Sequence, residues 1–105
     1  MITIDGTIPT RTKVVRSRRE VRSRFTLVTD ECAEIIVTVS CPAGSPLEQR
    51  LRDFVAAAQP GSRLVVTGMV YPATDIRTGV TELKMMADDV PEVTAPMDAS
   101  HPSAA

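Results

Sequence analysis

The sequence predicts an all-β fold with one helix, and three observations favour this class. Several short segments alternate apolar and polar residues, which is the period of a strand with one buried face. One segment in the middle of the chain repeats its apolar residues with the period of a helix. The 105 residues are 43% hydrophobic but only 3% aromatic, which is typical of a single domain with an aliphatic core.

The first three predicted strands comprise residues 2–8, 21–27 and 34–40. Gly6 and Pro9 mark a bulge or bend in the first strand. Residues 16–20 are polar and are predicted to form the tip of a hairpin that leads into the second strand. Phe25 lies on the apolar side of the second strand, so we expect it in the core.

The one predicted helix has a clear start and end. Ser45 stands at the N-cap, Pro46 at the first helical position and Glu48 three residues past the cap, a pattern that predicts a capping box. Pro60 and Gly61 end the helix. The apolar stripe expected to face the core consists of Leu47, Leu51, Phe54, Val55 and Ala58.

Two further strands are predicted after the helix, at residues 62–70 and 80–87. Gly68 marks a close backbone approach or a bend in the first of them, and residues 71–79 form a turn-rich loop. From Asp88 onward the sequence is acidic and then rich in Pro, Ser and Ala, without periodicity. We therefore expect a domain at residues 1–90 and a mobile tail at residues 91–105.

This order of elements predicts the OB-fold, a five-stranded Greek-key barrel with its helix between strands three and four. Aliphatic side chains can fill the small interior of such a barrel, which agrees with the low aromatic content. A Src homology 3-like barrel is the main competitor. That fold rarely places a three-turn helix after its third strand.

The cysteines, the histidine and the hydropathy argue against a disulfide-bonded protein, a metalloprotein, an enzyme and a membrane protein. A predicted strand separates Cys32 from Cys41 by more than the reach of a disulfide, so both are expected to be free thiols in a reducing compartment. His101, the only histidine, lies in the predicted tail. We therefore expect no metal, no cofactor and no enzymatic activity. Without a membrane-spanning run or a signal peptide, a cytoplasmic protein with no membrane partner is expected.

Charge is divided unevenly along the chain, although the net charge is only −1. Residues 1–27 carry seven basic and two acidic residues, whereas the other 78 carry five basic and eleven acidic residues. Six of the seven are arginines, whose planar guanidinium groups bind phosphate oxygens through paired hydrogen bonds, so the pattern favours a surface that faces a polyanion. An arginine-rich hairpin can also be a solvated sheet edge that resists aggregation.

Five stretches of strand and helix-end residues form one pattern over residues 2–90. They read Ile4-Asp5-Gly6-Thr7-Ile8, Arg24-Phe25-Thr26-Leu27-Val28-Thr29, Pro60-Gly61-Ser62-Arg63-Leu64-Val65-Val66-Thr67-Gly68-Met69-Val70, Thr81-Glu82-Leu83-Lys84 and Ala87-Asp88-Asp89-Val90. The pattern resembles the bacterial single-stranded DNA-binding protein (SSB) family. The resemblance implies an OB-fold that binds single-stranded DNA in replication, recombination or repair, as a homodimer or homotetramer.

The sequence departs from that family in its aromatic rings and its tail. Where rings that stack on bases are expected, it reads Val39-Ser40-Cys41 and Ala73-Thr74-Asp75. Tyr71 is the one ring placed to stack on a base, and it fits a position on the barrel rim equally well. Residues 97–105 do not match the family's acidic tail with its aromatic tip, so partner recruitment through the tail is not expected.

Binding is therefore expected to rest mainly on phosphate contacts, in a channel between the first hairpin and the loop at residues 71–79. The candidate nucleic-acid-binding residues are Arg11, Lys13, Arg16, Arg18, Arg19, Arg22, Arg24, Tyr71 and Arg77. Two alternatives remain. One is an OB-fold accessory subunit of a replication or primosome complex with weak or no intrinsic DNA binding, and the other is an interaction module whose basic hairpin meets an acidic protein.

Overall fold

The computed structural model describes residues 1–95, which form seven strands and one helix. The strands are β1 (Ile2–Thr7), β2 (Val14–Arg16), β3 (Glu20–Thr29), β4 (Glu34–Pro42), β5 (Arg63–Thr74), β6 (Thr81–Ala87) and β7 (Glu92–Ala95). The helix, α1, spans Pro46–Ala57. The predicted all-β class with one helix is confirmed, whereas the predicted number of five strands is wrong.

Five of the strands pair in a closed cycle. β1 pairs with β5, β5 with β6, β3 with β4 and β1 with β3, all in antiparallel fashion. β4 and β6 pair in parallel. A parallel pair needs a long crossover connection, which α1 and β5 supply here.

Two additional strands lie outside this cycle and account for the wrong count. Among the described residues, β2 pairs only with β3 and β7 only with β5. β2 is three residues long and lies next to the predicted polar hairpin tip, while β7 is four residues long in a Pro-containing acidic stretch. Strands this short are held by pairing with a longer neighbour, and their own sequence shows too little alternation to predict them.

β7 begins inside the segment that the sequence predicts as a mobile tail. It pairs with Arg63, Leu64 and Val65 of β5, and Val93 packs against the core. The sheet therefore continues past residue 90, the predicted end of the domain. The rest of the predicted tail, residues 96–105, lies outside the described residues, and so does the predicted mismatch with the SSB tail.

The start of α1 uses the predicted residues but different hydrogen bonds. Ser45 is the N-cap and Pro46 opens the helix. The Ser45 hydroxyl donates to the Pro42 carbonyl (2.7 Å) instead of accepting from the helix. The Glu48 carboxylate accepts the N–H of Gly44 (2.8 Å) instead of that of Ser45. The predicted capping box is therefore wrong, because Gly44, at a φ of 82°, presents its own N–H to the carboxylate.

The core is largely aliphatic, as the composition predicts. Phe25 of β3 and Phe54 of α1 are both buried as predicted, with ring centroids 5.6 Å apart. A β-carbon at Gly68 would overlap the carbonyl oxygen of Met86 on β6, which confirms the predicted close approach of the backbone. The other buried apolar residues are Ile8, Val21, Leu27, Ile35, Val37, Val39, Cys41, Leu51, Ala58, Leu64, Val66 and Met85.

Three further properties bear on function. Both cysteines are free thiols, as predicted, with Cys32 exposed and Cys41 buried, and burial raises the pKa of the Cys41 thiol. Within residues 1–95, no group of His, Cys, Asp or Glu side chains is arranged to hold a metal ion. In the same range, no helix combines the length and the hydropathy needed to cross a membrane.

Candidate nucleic-acid interface

The side of the sheet that faces away from the core carries several of the candidate residues. Along β3, buried and solvent-facing residues alternate, so Arg22 and Arg24 lie on the opposite side from Val21 and Phe25. We call this side of β3, β4, β6 and β5 the outer face. The same alternation places Thr38 of β4 and Lys84 of β6 on it.

Strand pairing makes the outer face one surface across four strands. One row consists, in order of pairing, of Arg24, Thr38, Met86 and Met69. The next row consists of Thr26, Ile36, Lys84 and Tyr71. Adjacent strands lie about 4.8 Å apart, so each row extends for about 15 Å. The structure therefore brings the predicted Arg24 and Tyr71 onto one side of the sheet, although β3 and β5 are not neighbours.

The tip of the β2–β3 hairpin lies at one end of this surface. The Ala43 N–H donates to the Arg19 carbonyl (3.0 Å), which ties the tip to the segment between β4 and α1. Arg18 and Arg19 are exposed there. A depression of about 640 Å³ joins the tip to the outer face, and its lining consists of Ser17, Arg18, Arg19, Glu20, Ser40, Cys41 and Pro42.

Two of the predicted site residues are held near α1 instead. Arg11 donates to the side-chain carbonyl of Gln59 (2.8 Å), just past the C-terminal end of α1. The Nε atom of Arg16 lies 3.5 Å from the Glu48 carboxylate at the other end of that helix. The structure therefore does not bring Arg11 and Arg16 together with the arginines of the outer face.

Glu48 is the acidic group around which this end of α1 is organised. The backbone N–H of Gly44 and the guanidinium of Arg52 both donate to its carboxylate, and Arg16 adds a second positive charge nearby. Together these contacts hold the pKa of Glu48 below the ordinary range of a glutamate. Glu48 is therefore ionised at neutral pH and retains Arg16 as a partner.

Two other predicted arginines have an acidic neighbour but remain exposed. Arg22 donates to Glu20 on the same strand (2.8 Å). Arg77 lies in the turn between β5 and β6, is 89% exposed, and has its Nε atom 3.9 Å from Asp75. Exposed pairs of this kind contribute at most about 1 kcal/mol, so a phosphate group can compete for either arginine.

The remaining cations of this region have no acidic partner among residues 1–95. They are Lys13, Arg18, Arg19, Arg24 and Lys84. Arg24 and Lys84 lie on the outer face, Arg18 and Arg19 at the hairpin tip, and Lys13 directly before β2. Tyr71 is 37% exposed and is the register partner of Lys84.

Acidic residues bound the outer face at the end away from the hairpin tip. A cavity of about 350 Å³ at that end is lined by Thr26, Ala33, Glu34, Ile36, Thr81, Glu82 and Leu83. The positive surface therefore extends from the hairpin tip to the row of Lys84, which borders the acidic cavity.

Sequence reasoning missed Lys84, Met69 and Met86 as members of this surface. The alternation within β6, where Met85 is buried between Lys84 and Met86, is the signal that could have placed Lys84 on a solvent-facing side. The parallel pairing of β4 with β6, which brings Lys84 beside Ile36, joins distant segments and leaves no local signal.

Comparison with known proteins gives no family assignment. No protein-family model matches the sequence, and no curated protein matches it. The ligand of the molecule is therefore inferred from the charges and the shape of the outer face.

Proposed function

We propose that this chain is an OB-fold protein of the cytoplasm that binds single-stranded DNA without sequence preference and catalyses no reaction. The cycle β1-β3-β4-β6-β5, with β4 and β6 parallel and α1 between β4 and β5, supports the OB-fold, since it is the strand order of a five-stranded Greek-key barrel. Such barrels bind nucleic acid over their second and third strands, between two flanking loops. Here those strands are β3 and β4, and the loops are the β2-containing connection and the β5–β6 turn.

The observation that carries the proposal is the set of unpaired cations that extends from the hairpin tip onto the outer face. Arg18, Arg19, Arg24 and Lys84 have no carboxylate of residues 1–95 within ion-pair distance. An anionic ligand supplies the partner that these cations lack within residues 1–95. A phosphate group suits arginine, because the guanidinium group donates two parallel hydrogen bonds to its oxygens.

The same surface offers little that distinguishes one base from another. Phosphate contacts carry no sequence information. Tyr71 is the one exposed ring of the outer face, and stacking of a base on a ring contributes about 1–3 kcal/mol without strong preference among bases. We therefore expect binding that depends on charge more than on sequence.

Two variants with equal loss of charge test the proposal. The outer-face variant is Arg18→Gln/Arg19→Gln/Arg24→Gln, and the control near α1 is Arg11→Gln/Arg50→Gln/Arg52→Gln. In fluorescence anisotropy at low salt, we expect the first to bind labelled oligo-dT at least about 100-fold more weakly than the unmodified chain, since each of the three charged hydrogen bonds is worth about 1 kcal/mol or more. The control should lose less than about threefold. Equal losses would contradict the proposal.

The main alternative is an OB-fold accessory subunit of a replication or primosome complex, which the single exposed ring favours. It predicts that oligo-dT fails to bind even at low salt. A module for an acidic protein predicts the same failure together with binding to an acidic polypeptide.

The SSB resemblance also leads us to propose a homodimer or homotetramer, which sedimentation equilibrium measures directly.

A further inference from the structure

Two exposed methionines lie side by side on β5 and β6, at one side of the outer face. Met69 of β5 and Met86 of β6 are register partners, and their exposed fractions are 64% and 44%. Met85, between Lys84 and Met86, is fully buried, so the core is filled without either exposed methionine. We call Met69 and Met86 the thioether patch. Both thioethers are therefore open to contact with a ligand.

The charges around the thioether patch define the chemistry of a suitable ligand. Arg24 lies in the same row, two strands from Met86, and Lys84 lies in the adjacent row. Neither row contains a carboxylate, and Glu34 and Glu82 lie in the next row beyond that of Lys84. A ligand that fits has an apolar, polarisable part beside an anionic part. The bases and phosphates of a single strand meet both conditions.

We infer that the thioether patch is the surface on which the bases of the bound strand lie, with their phosphates toward Arg24 and Lys84. This inference rests on the proposed single-stranded DNA binding and assigns its base-contacting site. A thioether is polarisable, adapts its shape and makes favourable contacts with aromatic π systems. Every base has such a face, so the contact is tolerant of sequence. Tyr71, in the row of Lys84, continues the same surface.

Oxidation by hydrogen peroxide tests the contact. Peroxide transfers one oxygen atom to an accessible thioether and leaves water, and the resulting sulfoxide is located by mass spectrometry. The variant Ala56→Met supplies a control methionine at an exposed position of α1. We expect saturating oligo-dT to slow the oxidation of Met69 and Met86 several-fold and to leave residue 56 unaffected. An abasic strand of equal length should bind without giving this protection.

A second measurement uses variants of the patch itself. Both methionines are exposed, so Met69→Ala/Met86→Ala is expected to fold normally. It should bind oligo-dT about tenfold more weakly than the unmodified chain and bind the abasic strand equally well. The control Ile2→Ala removes an exposed apolar group from β1, outside the outer face, and should change neither affinity.

The outcomes separate this inference from the proposed function. Binding of oligo-dT without protection of Met69 and Met86 would overturn the base contact and leave the DNA-binding function intact. Failure of oligo-dT to bind at low salt would overturn both. Protection that increases with protein concentration in the absence of DNA would assign the patch to a contact between copies of the chain and also overturn the inference.

Discussion

The Glu48 carboxylate, at the start of α1, draws one arginine of the first hairpin away from the outer face. It accepts hydrogen bonds from Gly44 and Arg52 and lies 3.5 Å from Arg16. Arg16 is thereby held against α1, while Arg18 and Arg19, two and three residues later, have no acidic partner in residues 1–95. The sequence predicts that α1 starts here and that Glu48 lies in its first turn. It does not predict the partners of Glu48, because the Gly44 backbone conformation and the position of Arg16 depend on how the hairpin packs.

The lowered pKa of Glu48 predicts a specific dependence of stability on pH. A carboxylate with a lowered pKa in the folded state stabilises that state above its unfolded pKa, and this contribution is lost as the pH falls through the folded pKa. The unmodified chain should therefore have a higher free energy of unfolding than Glu48→Gln, and the difference between the two should be largest at pH 7. The difference should shrink as the pH falls below the ordinary pKa of a glutamate and through the lowered pKa of Glu48.

Urea unfolding at a series of pH values measures this difference. Glu31→Gln, which removes one negative charge at an exposed turn position, corrects for the change in net charge. A difference between the unmodified chain and Glu48→Gln that stays the same from pH 7 to about pH 3 would contradict the assigned contacts.

At the scale of elements, the sequence predicts the helix and the strands whose apolar pattern is sustained. It does not predict the elements that are short or interrupted. The helix was predicted to open at Pro46, as α1 does, and the alternation at residues 21–27 lies within β3. β5 continues to Thr74 although Tyr71 and Pro72 resemble the start of a loop, because pairing with β6 holds them extended. β2 and β7 are likewise held by neighbouring strands, a contribution that local sequence does not contain.

Two truncated chains test the contribution of β7. A chain that ends at residue 95 retains β7, and a chain that ends at residue 91 lacks it. Loss of β7 removes its pairing with β5 and uncovers apolar surface beside Val93, so we expect the free energy of unfolding to fall by about 1–2 kcal/mol between the two. Equal midpoints in urea would show that β7 adds nothing to the sheet.

At the scale of the whole molecule, the uneven charge of the sequence predicts a basic surface but not which residues form it. Seven basic residues precede residue 28, yet Arg11 and Arg16 are turned toward α1. Lys84 enters the surface from a distant strand through the parallel pairing of β4 with β6. Such pairings depend on the fold as a whole, so only the local part of the site, at the β2–β3 hairpin, was predictable from the chain.

The central claim is that unpaired cations beside one face bind the phosphates of a single strand, and the salt dependence of oligo-dT binding tests it most directly. Apart from Arg11, which donates to Gln59, the basic side chains without an acidic partner in residues 1–95 are Lys13, Arg18, Arg19, Arg24 and Lys84. If all of them contact phosphate, the logarithm of the association constant should fall with the logarithm of the salt concentration with a slope of about −3.5. A slope near zero, or no binding at low salt, would contradict the claim.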